Sequence, residues 1–90
     1  MIDTGKLTEL ASARIDVESA EEEYNDQRCY IQELQTAIDA INDFCEDSVH
    51  KQVILAELYE HQEQAGKHLK AAERELDAAG RHLDELLRRA

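Results

Sequence analysis

Apolar residues recur at alternating spacings of three and four along two stretches of this chain, residues 10–45 and 55–90. Positions with that spacing lie on one face of an α-helix, so each stretch predicts a helix with one apolar seam. In the first stretch the seam positions are Leu10, Ala13, Val17, Ala20, Tyr24, Gln27, Ile31, Leu34, Ile38, Ile41 and Cys45. In the second stretch they are Leu55, Leu58, Gln62, Ala65, Leu69, Ala72, Leu76, Ala79, Leu83, Leu86 and Ala90.

The two seams fit each other if the chain folds back near Ser48. Residues whose numbers sum to 96 then face each other, and a large side chain usually meets a small one, as at Ile31 and Ala65. Such layers fill a seam at native density without voids. The pattern therefore predicts an all-α fold, two long antiparallel helices forming a coiled-coil hairpin. We expect one domain over residues 1–90, with helix 1 at about 6–45, a turn near 46–49 and helix 2 at about 49–89.

One continuous helix in a long dimeric coiled coil is the alternative architecture. It stays open because the turn contains neither glycine nor proline. However, the seam register moves ten residues from Cys45 to Leu55, where a continuous heptad repeat requires seven or fourteen. A three-residue insertion is typical of a stammer or of a loop. The complementary layers favour the hairpin, with Asp47 or Ser48 as the cap of helix 2.

A two-helix hairpin encloses only a narrow core, because small domains bury proportionally little of their surface. We therefore expect a partner or a second copy to contribute stability, in the latter case as a homodimeric four-helix bundle. Apolar residues outside the seam crowd the turn end, and such excess apolar area usually marks an interface. The candidates for dimerisation or partner docking are Tyr30, Ala37, Phe44, Val53, Ile54 and Tyr59.

The charge of the chain is concentrated in its first half. The net charge is −11, and residues 7–47 hold 12 acidic and 2 basic side chains, while residues 48–90 are nearly balanced. A helix carrying many carboxylates can imitate the charge track of a nucleic-acid backbone and occupy a cationic groove. A solvated face that only keeps the protein in solution is the alternative. The candidate partner-binding carboxylates are Glu18, Glu21, Glu22, Glu23, Asp26, Asp39 and Asp43.

The basic residues of helix 2 form an outward stripe, but most follow a carboxylate by four residues. These pairs are Glu63/Lys67, Asp77/Arg81, Asp84/Arg88 and Glu85/Arg89. Because pairs in this order attract each other on a helix, the stripe largely neutralises itself. We expect no direct nucleic-acid binding.

Two glycines interrupt helix 2, each at a cost of about 1 kcal/mol relative to alanine. In the hairpin register Gly66 and Gly80 fall opposite Arg28 and Arg14. One hypothesis is that each glycine makes room for an arginine that crosses the seam. The alternative is that glycine is simply tolerated at both positions.

No pattern indicates catalysis, a metal or a cofactor. His61, His68 and His82 share one stripe, but a seven-residue spacing separates neighbours by about 10 Å, too far to share one ion. The sequence has no serine or threonine nucleophile beside a histidine and no glycine-rich phosphate loop. We therefore expect neither enzymatic activity, nor a bound metal, nor a cofactor.

The sequence predicts a cytoplasmic protein. No run of 18 apolar residues is present, as a membrane-spanning helix needs, and the first six residues lack the apolar core of a secretory signal. Cys29 and Cys45 lie about 24 Å apart on one predicted helix, well beyond the roughly 7 Å limit for a disulfide. We expect two reduced thiols.

Three functional hypotheses follow. The first is a non-enzymatic interaction protein whose acidic helix blocks a basic surface of a partner, for example a small phage-type inhibitor of a nucleic-acid-binding machine. The second is a small chaperone or assembly adaptor, similar to secretion chaperones, that holds a client helix at its apolar turn end. The third is a structural coiled-coil oligomerisation module.

Overall fold

The computed structural model describes residues 4–89 and shows a hairpin of two long helices. Helix α1 is Thr4–Phe44 and helix α2 is Val49–Arg89, each of 41 residues, and no strand occurs among the described residues. The Cα trace forms a rod with extents of 71 × 16 × 15 Å. The predicted all-α hairpin is confirmed, with α1 beginning two residues before its predicted start. Ala90 lies outside the described residues.

The predicted seam is the core of the rod. Every seam position from Leu10 to Ile41 and from Leu55 to Leu86 is buried or half-buried. The antiparallel register agrees with the predicted layers, because the Gln62 side-chain amide donates a 2.8 Å hydrogen bond to Gln35 Oε1, next to the predicted partner Leu34. The buried side chains are Ala13, Leu34, Ile38, Ala65 and Ala72. Three of these five residues are alanine, whose small side chain lets the two helix backbones approach each other closely.

The assignment of Cys45 to the seam is wrong. Helix α1 ends at Phe44, so the position that the heptad repeat gives to Cys45 belongs to the turn, and its side chain is exposed. Cys29 is exposed as well, and both thiols are free.

The turn is built without glycine or proline, by one cap at each helix end. Ser48 Oγ accepts a 3.1 Å hydrogen bond from the backbone N–H of Lys51, which makes Ser48 the N-cap of α2. The Lys51 ammonium reaches back to the end of α1 and donates to the carbonyls of Cys45 at 3.1 Å and Asn42 at 3.4 Å. It also pairs with Asp47 at 3.2 Å. Lysine thus satisfies carbonyls that a left-handed glycine often satisfies elsewhere, and no described residue adopts a positive φ.

The hypothesis that arginines cross the seam at the glycines is contradicted. Arg14 pairs with Glu18 of its own helix at 3.3 Å, and the Arg28 guanidinium lies 5.8 Å from the centre of the Tyr24 ring, also on α1. A Cβ added at Gly66 or Gly80 would meet no heavy atom within 4 Å. Both glycines therefore face open space.

Candidate protein-binding surfaces

The outer side of α1 carries a dense run of exposed carboxylates, which we call the acidic segment. Its residues are Glu18, Glu21, Glu22, Glu23 and Asp26, all exposed. Eight helical rises of 1.5 Å place them within about 12 Å, or roughly one charge every 2.5–3 Å. A duplex carries one phosphate charge per about 1.7 Å of axis, or per about 3.4 Å on one strand. The charge density of the acidic segment is therefore of the same order as that of a nucleic-acid strand.

The basic residues of α1 leave most of this charge uncompensated. Arg14 forms an ion pair with Glu18, but both side chains are exposed, so the pair contributes little to stability. Arg28 lies over the ring of Tyr24. Between Thr4 and Arg89 the other ion pair is Lys51–Asp47, at the turn. The remaining four carboxylates of the acidic segment thus have no basic side chain within 4.0 Å.

The other two predicted carboxylates do not join the acidic segment. Asp39 and Asp43 are exposed, but they lie about 20 Å and 25 Å further along the rod than Asp26. Asp39 also accepts a 2.9 Å hydrogen bond from the Gln35 side chain. The predicted acidic face is therefore two separate groups.

The structure adds carboxylates that the predicted binding set omitted. On one side of the rod, Asp16 and Glu23 of α1 line a shallow groove together with Glu75 of α2. The signal was in the sequence, because Glu23 and Glu75 precede the seam residues Tyr24 and Leu76, which belong to neighbouring layers of the predicted register. Negative charge therefore extends from α1 across the seam to the second helix.

The basic stripe of α2 does not form the predicted ion pairs. None of the four pairs from Glu63/Lys67 to Glu85/Arg89 closes to 4.0 Å in the described structure, where the ion pairs are those of Arg14 and Lys51. Both signs nevertheless share one surface, since Arg81, Asp84, Glu85 and Arg88 line the same shallow depression. The outer side of α2 is a mixed surface, unlike the outer side of α1.

One side of the rod carries apolar residues near the turn; we call it the turn-half flank. Its residues lie on the same side of the rod as Glu23 and Glu75. The most exposed of them is Phe44, at 87%. The flank comprises Tyr30, Ala37 and Phe44 of α1 with Ile54, His61 and His68 of α2. Ala37 is half-buried and the others are exposed. The flank has no carboxylate among its six residues.

The remaining predicted apolar residues lie on other faces. Tyr59 is exposed on the opposite side of the rod, where it lines a shallow groove with Asn42, Lys51 and Leu55. Val53, also exposed, occupies an outward heptad position between the two sides. The six predicted apolar residues thus form no single patch.

A second apolar surface, at the open end of the hairpin, was not among the predicted site residues. Leu7 and Leu87 are about half exposed, and Leu87 lines a shallow groove with Leu10 and Leu83. Leu7 and Leu87 flank the predicted layer of Leu10 and Leu86, and this position was the available signal.

The histidines and other polar groups assemble no metal site in the part of the chain that is described. His61, His68 and His82 are exposed, and residues 4–89 hold no group of three or more His, Cys, Asp or Glu residues placed to share an ion. Neither described helix is apolar enough over a sufficient length to cross a membrane. Comparisons with protein-family models, with curated proteins and with solved structures found no match.

Proposed function

We propose that this chain is a non-enzymatic protein-binding module whose acidic segment docks on a basic surface of another protein. The observation that carries the proposal is the charge density of the acidic segment, about one carboxylate per 2.5–3 Å along a rigid helix. Four of its five carboxylates have no basic side chain within 4.0 Å among the described residues. Groups left unpaired in this way remain available to a cationic partner.

The rigidity of the rod supports the same conclusion. The acidic segment lies in the middle of a helix of 41 residues that is braced by a second helix along its length. Its charges are held in a fixed spacing before the partner arrives, so docking orders little backbone. Charge of this kind mainly raises the association rate and selects the partner. A groove that binds nucleic acid presents the required cationic surface.

Ile15 gives the acidic surface an apolar contact point. It is 61% exposed and lies one turn before Glu18 on the outer side of α1. An apolar side chain among carboxylates adds area that is buried only when a partner covers it. We assign to Ile15 the role of an anchor within the charged contact.

The test is capture of partners by two charge-matched variants. One variant neutralises the acidic segment: Glu18→Gln, Glu21→Gln, Glu22→Gln, Glu23→Gln and Asp26→Asn. The control removes the same number of charges from exposed positions of α2: Glu57→Gln, Glu60→Gln, Glu63→Gln, Asp84→Asn and Glu85→Gln. Lysate of the source cell is passed over each immobilised protein at low and at high salt.

We expect a basic partner that is retained by the native chain and by the α2 control but lost from the acidic-segment variant. Its affinity should fall at least about tenfold between roughly 0.05 M and 0.2 M salt, because salt screens exposed charges. Duplex DNA should displace it if its basic surface is a nucleic-acid groove. Equal capture by both variants, or affinity that does not depend on salt, would contradict the proposal.

The exposed turn end favours one second candidate, the chaperone or assembly adaptor. Phe44 and Val49 are the most exposed large apolar residues of the described chain. An adaptor would hold an amphipathic client there through apolar contacts. Its signature is capture that survives high salt and is lost in Phe44→Ala or Tyr59→Ala.

A further inference from the structure

The single hairpin exposes far more surface than a compact protein of its size. Its accessible surface is 7123 Å², whereas a globular monomer of 10.3 kDa is expected to expose about 5,400 Å². Among residues 4–89 only five side chains are buried, and nine large apolar residues are exposed. The turn-half flank collects three of these nine, Tyr30, Phe44 and Ile54, on one side of the rod.

The charge along that side of the rod restricts what can cover the flank. The six flank residues include no carboxylate, and Glu33 and Glu57 border them at the outer edges of the two helices. Glu23 and Glu75 follow on the same side about 21 Å beyond Ala37. Two parallel rods in full register would bring both copies of these carboxylates together, which like-charge repulsion disfavours. Two antiparallel rods that overlap only along their turn halves avoid this contact.

We propose that a second copy of this chain covers the turn-half flank, with the two hairpins antiparallel and overlapping along their turn halves. The two-fold axis passes the layer of Ala37 and His61. Helix α1 then lies on α1 of the second copy, and α2 on α2. This inference does not rest on the proposed function, because it uses a different surface.

The symmetry fixes which residues meet. Residues of α1 whose numbers sum to 74 face each other, so Tyr30 of each copy packs on Phe44 of the other and Ala37 meets its own equivalent. Two aromatic contacts form per dimer, and alanine at the axis lets the helices approach closely. The turn of each copy extends about 15 Å past the axis and stops about 6 Å short of the layer of Glu23.

The overlap is large enough for a specific interface. It is about 30 Å long, and a face of two helices is about 20 Å wide, so each copy contributes about 600 Å². The total of about 1,200 Å² lies at the lower end of the range for specific protein–protein interfaces. The dimer should therefore dissociate on dilution.

The first test is the mass of the chain in solution, measured by sedimentation equilibrium over a wide concentration range. We expect a monomer–dimer equilibrium for the native chain. Phe44→Glu should weaken it at least about a hundredfold, because the substitution removes two buried aromatic contacts per dimer. Ile15→Glu is the matched control: it places the same charge at an exposed apolar position of α1 away from the flank and should leave the dimer intact.

Both substitutions fall on exposed side chains, so the helical circular-dichroism signal should be that of the native chain in each case. A native chain that stays monomeric at every concentration would overturn the proposal, and so would a dimer that Phe44→Glu leaves unchanged. A monomer that binds an amphipathic client peptide through Phe44 would assign the flank to the adaptor function instead.

The second test fixes the orientation by cross-linking. In a Cys29→Ser/Cys45→Ser background, Ala37→Cys places a thiol beside the two-fold axis, and a short bismaleimide should join two chains efficiently. Ser19→Cys places the thiols about 54 Å apart in the antiparallel dimer, so it should not cross-link. Cross-linking through Ser19→Cys would show a parallel dimer, and failure of Ala37→Cys in a dimeric sample would show another interface; either result contradicts the proposal.

Discussion

Lys51 is the residue on which we expect the hairpin turn to depend most. Its ammonium contacts the carbonyls of Cys45 and Asn42 and the carboxylate of Asp47, and its side chain is only 10% exposed. Helix α1 has no basic residue in its own last turn, so Lys51 also supplies the positive charge that the C-terminal end of a helix dipole favours.

The cost of removing this contact can be estimated from its parts. The 3.1 Å bond from a charged donor to Cys45 is worth about 1.5 kcal/mol, at the lower end of the range because water can replace it at the exposed carbonyl. The longer bond to Asn42 and the pair with the exposed Asp47 together add about 0.5 kcal/mol. Lys51→Met, which keeps the length of the side chain, should therefore cost about 2 kcal/mol and lower the Tm by roughly 8–16 °C.

The assay is thermal unfolding followed by circular dichroism at one fixed protein concentration, since self-association would make the Tm depend on concentration. Lys67→Met is the matched control, because it removes the same charge from an exposed position of α2 that makes no ion pair. We expect the control to change the Tm by no more than about 4 °C, because surface substitutions usually change stability by less than about 0.5 kcal/mol. Equal shifts for the two variants would refute the assignment of Lys51 as the cap of α1.

Substitutions at three further positions test the helices themselves. Gly66→Ala and Gly80→Ala should each raise the free energy of unfolding by about 1 kcal/mol, because the added Cβ meets open space within a helix; a lower Tm would show a close contact at these positions. Ser48→Ala should cost about 1 kcal/mol through loss of the N-cap of α2, and Ser48→Asp, which restores an acceptor, should recover most of it. An unchanged Tm in Ser48→Ala would mean that the hydroxyl bond contributes nothing to the turn.

The seam could be predicted from the sequence because it is specified many times over. Ten layers place the apolar residues of one helix against those of the other, and a shift of one residue would move every one of them out of contact. All of these positions are buried or half-buried. The pairing of large with small residues, as at Ile31 and Ala65 or Tyr24 and Ala72, left the hairpin register with no comparable competitor.

The turn could not be predicted in the same way, because it depends on single contacts. The absence of glycine and proline removes the usual signals, and the cap of α1 comes from a lysine beyond the turn. Lys51 was nevertheless conspicuous as the single lysine or arginine between Arg28 and Lys67. A cation in the first turn of a helix is locally unfavourable, and such a conflict between local preference and position often marks a contact made elsewhere.

The binding surfaces were predictable only in composition, for a physical reason. A seam residue such as Ile38 faces a residue of the other helix, so the sequence contains a second position that checks its assignment. An outward residue packs against no facing seam residue, so its assignment to a binding surface has no such check. Residues that the sequence analysis assigned to one surface can lie apart in the fold. Asp39 lies about 20 Å from Asp26 along the helix, and Tyr59 lies on the opposite side of the rod from Phe44. Residues that are distant in the sequence can also share one surface, as Glu75 of α2 and Glu23 of α1 do in one groove. The turn-half flank and the acidic segment differ in chemistry and lie at different levels along the rod, so a dimer formed through the flank would leave the acidic segment open to the cationic partner that we propose.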